Sequence, residues 1–118
     1  LNANIIIEGK FSAHGLKDFP VLITTNNKSV ILIDSGNFEA SNTNFTGSNM
    51  IKSKTSKVKL YKCLIFDVSN SFIIDYQSKF SFVDCDAGTL NQFGTFNESF
   101  VTLKNCNFKK GKKFINIE

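Results

Sequence analysis

The sequence predicts an all-β solenoid of stacked parallel strands, and three observations carry that expectation. Apolar and polar residues alternate in short runs such as Val58-x-Leu60 and Phe80-x-Phe82, the period of a half-buried strand. The runs recur. Val30 to Asn42 aligns with Val58 to Asn70, and Val58, Leu60 and Cys63 align with Phe80, Phe82 and Cys85 and again with Val101, Leu103 and Cys106. Finally, repeats of 21 to 28 residues that already hold several strands leave no room for a helix, as expected of one coil whose equivalent strands lie side by side.

Composition agrees with many short strands. The chain has 118 residues, among them 13 Phe, one Pro and no Trp, and Asn, Ser and Thr supply 34 positions. Phe builds a core, and the small polar residues build turns. The length suits one domain, residues 1–118, with coils expected to start near residues 5, 30, 58, 80 and 101.

Taken in order, Ile5 and Ile7 open the first coil, with a bulge at Gly9 expected to keep Phe11 inward. Val21 to Ile23, Phe72 to Ile74 and Phe114 to Ile117 read as second strands within coils. Thr24 to Ser29, Lys52 to Lys57, Tyr76 to Lys79 and Asn97 to Ser99 read as polar corners. Thr43 to Asn49 reads as a corner insertion that lengthens its coil. An irregular β-sandwich and a leucine-rich repeat are the alternatives; the few Leu, out of step with any Asn, disfavour the latter.

The pattern resembles the right-handed parallel β-helix of the pectin-lyase-like superfamily, over about Ile5 to Glu118. The Phe-x-x-x-Asn pieces Phe38 to Asn42, Phe45 to Asn49 and Phe66 to Asn70 are loosely similar to the repeats of polymorphic outer-membrane proteins. The resemblance implies about four to five coils, a segment of a longer β-helix. Enzymes of that superfamily use clustered acids on successive coils, the pattern that a catalytic reading of this chain requires.

The best acidic pair is Asp84 and Asp86. In the expected register the position before each Cys reads Asp34, Lys62, Asp84, Asn105, an outward ladder of alternating character rather than a catalytic cluster. His14, the single His, stands in a Ser-Ala-His-Gly turn and lacks the partners a triad requires. The chain is expected to be no enzyme and to use no cofactor or metal.

All 14 basic residues are Lys, and the formal net charge is +4. Without Arg the bidentate recognition of phosphate is missing, and specific nucleic-acid binding is not expected. Lys52, Lys54, Lys57, Lys59 and Lys62, and again Lys109, Lys110, Lys112 and Lys113, form basic stretches. Such a face can attract phosphate, anionic lipid or acidic glycans in a salt-dependent way, but without Arg and with Asp and Glu scattered elsewhere a merely soluble surface is the expected reading. No apolar run is long enough for a membrane-spanning helix, and no signal peptide is legible; the chain starts at Leu1, as a processed protein or a slice of a longer one does.

Cys63, Cys85 and Cys106 fall in one column that begins at Ser35, giving an inward Ser/Cys ladder of reduced, unreactive thiols. Sequons at Asn27, Asn44 and Asn97 are possible glycosylation sites and favour an extracellular or cell-surface location. The expected function is a non-enzymatic structural or adhesive module of a larger surface or secreted protein. Its partners would be the rest of its own chain or protein neighbours at the open coil ends, and glycans. A polysaccharide-active or glycan-binding protein, or a scaffold subunit of a large assembly, are the alternatives.

Overall fold

The computed structural model describes residues 5–26, 30–47, 51–108 and 115–117. Its strands are β1 (Ile5–Ile7), β2 (Lys10–His14), β3 (Val21–Thr24), β4 (Ile31–Asp34), β5 (Asn37–Ser41), β6 (Thr43–Gly47), β7 (Ile51–Lys54), β8 (Lys57–Tyr61), β9 (Leu64–Tyr76), β10 (Lys79–Val83), β11 (Asp86–Asn97), β12 (Phe100–Lys104), β13 (Asn107–Phe108) and β14 (Ile115–Ile117). They stack in parallel as a β-solenoid of about four turns, with no helix among the described residues.

Three walls enclose the core. The first stacks β1, β4, β7, the ends of β9 and β11, and β14. The second is the five-stranded sheet β2-β5-β8-β10-β12. The third stacks β3, β6, the beginnings of β9 and β11, and β13.

Single left-handed residues turn the chain between walls. Ser35, Thr55, Gln77 and Glu98 do so between the first and second walls, and Asn42, Lys62, Asp84 and Asn105 between the second and third, all with φ between 45° and 55°. Such a conformation costs an L-residue roughly 1–2 kcal/mol. The ladder compensates, because the same residues' N–H groups still bond the next coil: Thr55 N to Tyr76 O at 2.9 Å, Lys62 N to Val83 O at 2.9 Å. Behind the first corner a row of hydroxyls continues the pattern, Gly36 N donating to Ser56 Oγ, Ser56 N to Ser78 Oγ and Ser78 N to Ser99 Oγ.

Aromatic residues fill the interior. Phe38, Phe45, Phe72, Phe80, Phe82 and Phe96 are all buried. Their rings meet edge to face or stacked, Phe45 with Phe72 at 5.3 Å and Phe80 with Phe96 at 5.2 Å between centroids, the arrangements that an aromatic quadrupole favours.

The register agrees with the sequence in the later coils and differs in the earlier ones. Val58, Phe80 and Val101 align, as do Leu60, Phe82 and Leu103. Upstream, however, Phe38 and Ala40 occupy those rows, not Val30 and Leu32. Residues 5 and 30 mark first-wall strands, whereas 58, 80 and 101 mark second-wall strands. The expected 28-residue repeat therefore joined two different walls, and Ile31 in fact pairs with Ile51, 20 residues on.

Three local readings change with it. Thr43–Gly47 is a wall strand, β6, with Thr43 and Phe45 inward, not a corner insertion. Lys52 and Lys54 alternate with buried Ile51 and Ser53 on β7 rather than forming a corner. Gly9 lies at a corner in line with Gly36, not in a bulge, and Phe11 stacks on Phe38 at 5.4 Å. The real excursion is Leu16 to Pro20, a tight turn closed by bonds between Leu16 and Phe19. Gly15 makes it possible, since a Cβ there would lie 2.3 Å from Asn42 O.

Candidate functional site

The outer surface of the second wall is a regular lattice. Its strands lie about 4.8 Å apart, and outward residues repeat every second position. One row reads Lys10, Asn37, Lys57, Lys79, Phe100 and the next Ser12, Glu39, Lys59, Ser81, Thr102. Lys59 has Glu39 as its rung neighbour, but Lys57 and Lys79 stand beside each other, a like-charge pairing that destabilises a ladder unless an anion lies over it. Phe100, 76% exposed, continues that row as an aromatic platform.

Two grooves meet at this pair. One, of about 440 Å³, runs past Lys57, Lys59, Lys79, Ser81, Phe100 and Thr102. The other, of about 340 Å³, follows the corner past Ser35, Thr55 and Gln77 to the same two lysines. Ammonium groups, hydroxyls, an amide and an exposed ring thus converge on one side of the coil. Such a set presents positive charge, hydrogen-bonding groups and a ring face on one side of the coil.

The basic stretch of the sequence is divided by the fold. Lys52 and Lys54 are exposed on the first wall and Lys57 and Lys59 on the second, while Lys62 stands at the corner with its Nζ 5.1 Å from the Tyr61 ring centroid. Lys79, 20 residues from Lys59, completes the cluster, and only the parallel register brings it there. Lys109, Lys110, Lys112 and Lys113 lie outside the described residues.

Cys63, Cys85 and Cys106 follow the left-handed corner residues on successive coils, all as free thiols. Each Sγ donates to the carbonyl two residues back and to one on the preceding coil, as Cys85 does to Val83 O at 3.3 Å and Leu60 O at 3.4 Å. Thr43 Oγ1 makes the equivalent pair of bonds, to Ser41 O and Ala13 O. Thr43 therefore heads this column and Ser35 does not. Ser35 is exposed at the other corner, where its N–H bonds Lys54 O.

The neighbouring Cys63 thiol and burial together push Cys85 above the ordinary thiol value. Burial raises Cys106, which is half-buried in the last coil. Alkylation of the folded protein should modify Cys106 slowly and leave Cys63 and Cys85 intact, and unfolding without reductant should release three reactive thiols. Two or more rapid modifications before unfolding would contradict this burial, and one or none afterwards would reveal a disulfide.

Among the described residues, no further carboxylate stands on the neighbouring rungs beside Asp84 and Asp86. Asp84 accepts a 2.6 Å bond from Asn105 Nδ2, and exposed Asp86 lies between Leu64 and Asn107. Asp34, expected beside Lys62 and Asp84, sits on the first wall, and Asn42 takes its place in the corner row. His14 is exposed, with Nδ1 2.7 Å from Ser41 Oγ. No three His, Cys, Asp or Glu side chains come together as a metal site among the described residues.

Two of the three sequons are visible. Asn44 is half-buried on β6, and Asn97 ends β11, half-buried, with the sequon's Ser99 hydroxyl bonded to Asn97 O and Asp75. Asn27 lies outside the described residues. The acid that sequence reading passed over is Asp75, buried in the core between Ser53 and Phe96. A carboxylate in an otherwise apolar run, Phe72-Ile-Ile-Asp75, with serines 22 and 24 residues away, is the signal that marks it. No family model, no curated protein and no solved structure matches the chain.

Proposed function

We propose that the chain is a non-enzymatic adhesive module, a stiff coil that holds an anionic glycan against the outer surface of its second wall. The Lys57–Lys79 pair beside exposed Phe100 carries this reading. The two ammonium groups suit a carboxylate or sulfate, and Phe100 suits the C–H face of a sugar ring. Stacked strands supply rigidity, so the site is preorganised and little ordering entropy is spent on binding. The finer likeness to right-handed pectin-lyase-like coils belongs to this proposal and is supported by three parallel walls around one core. A place at the cell surface or outside the cell, in a larger protein, follows from the same reading.

The test is retention on polygalacturonate and on a neutral polymer of the same length, with polymer viscosity followed in parallel. Retention on the acidic polymer should fall as salt rises, and Lys57→Glu with Lys79→Glu should abolish it while Lys10→Glu leaves most of it. Equal retention on both polymers, or none on either, would overturn the adhesive reading. A fall in viscosity would make the protein an enzyme.

A further inference from the structure

The outer face of the first wall is self-complementary. Acids occupy its first two rungs, Glu8 and Asp34, and lysines its third, Lys52 and Lys54. Large apolar groups flank these charges on the same face: Ile6, 65% exposed, on the first rung, and Ile74, 44% exposed, with Tyr76 on the fourth, beyond which Thr95 and Asn97 continue the face on β11. Exposed isoleucines on a flat sheet face invite a partner.

We propose that this face is a dimer interface whose occupant is a second copy of the chain. A two-fold axis lying in the interface, parallel to the strands and midway between β4 and β7, reverses the order of rungs and preserves position along each strand. Asp34 then faces the partner's Lys54 twice over and Ile6 the partner's Ile74, also twice, while the Lys52 stem lies over the partner's half-buried Leu32. The phenol of Tyr76 comes opposite the partner's Glu8 and can donate to it. Moving the axis onto β4, which shifts the partner by one rung, sets Asp34 against its own copy and Ile6 against Lys52, so the Asp34–Lys54 and Ile6–Ile74 contacts choose the same register.

The face is one four-residue strand wide, less than the roughly 800 Å² per partner of a standard stable interface. Association is therefore concentration-dependent. The groove past Lys57, Lys79 and Phe100 lies on the second wall, outside this interface, and stays open in the dimer, whereas the corner groove past Ser35, Thr55 and Gln77 borders it.

Sedimentation over a wide concentration range tests the proposal. The mass should rise from that of the 13.2 kDa chain towards twice that value and no further. Ile74→Asp, at an exposed position, should abolish the rise without changing the melting temperature. Lys54→Glu should weaken the dimer about tenfold, since two surface pairs are inverted at once. Adding Asp34→Lys to Lys54→Glu should restore it. A monomer at every concentration would overturn the proposal, as would association that ignores all three variants or grows beyond two copies, because stacking through the coil ends does not involve this face. Should Ile74→Asp shift the melt, the charge reversal and its rescue decide the matter alone.

Discussion

Replacing Phe82 with alanine should lower the folding free energy by about 3–5 kcal/mol. Phe82 is fully buried, stacked on Phe80 at 5.6 Å between centroids, and lies in a row between Leu60 and Leu103, so the coil around it has no slack with which to close the void. Leu60→Ala should cost about 2–5 kcal/mol for the same reason. Leu103→Ala should cost far less. Leu103 follows the same alternation as Leu60 and Phe82, which predicts an equal loss, but it belongs to the last rung of the second wall and is 46% exposed. Ser81→Ala, on the outward side, should change stability by no more than about 0.5 kcal/mol. Denaturant unfolding of the four variants checks the order, and equal losses at Phe82 and Leu103 would show that the last rung is covered.

Asp75→Ala should be the most damaging polar substitution. Asp75 is only 3% exposed and occupies an inward position that Ile33 fills two coils earlier. Its carboxyl oxygens accept bonds from Ser53 Oγ at 2.5 Å and from Ser99 Oγ, so three polar side chains satisfy one another inside an apolar row. Removing the carboxyl leaves the buried Ser53 hydroxyl without its acceptor and opens a void, at a cost of about 1–3 kcal/mol for the lost bond alone. Asp75→Ile combined with Ser53→Ile should recover that loss, because the two buried partners become apolar together and half-buried Ser99 keeps its bond to Asn97 O. Comparing the single and double variants by thermal unfolding separates the two effects. A harmless Asp75→Ala would show that the network contributes nothing to stability.

These two residues also mark what each level of description decides. Parallel coiling was legible because the β-alternation recurs at a constant spacing from Val58 onward, and any fold that buries one face of every run must bring those repeats into line. The cysteine column was legible for the same reason. Residues upstream of Val58 were not, since each coil has three strands with the same inward alternation, and a segment from one wall aligns with a segment from another as well as with its own neighbour. Composition could not separate them. Hydrogen bonds between rungs do, by pairing Phe38 with Val58 and Asn44 with Leu64, which puts Thr43 in line with Cys63. Partnership across coils was equally hidden: Asp75 with Ser53 and Ser99, and Lys57 with Lys79, are 22 to 24 residues apart and carry no local signature. Sequence by itself determined the strand period, the parallel stack and an aromatic core, because these follow from local sterics and burial. Register, the groove and the buried carboxyl were decided only in the tertiary structure, where long-range pairing selects one of several alignments that local chemistry leaves equal.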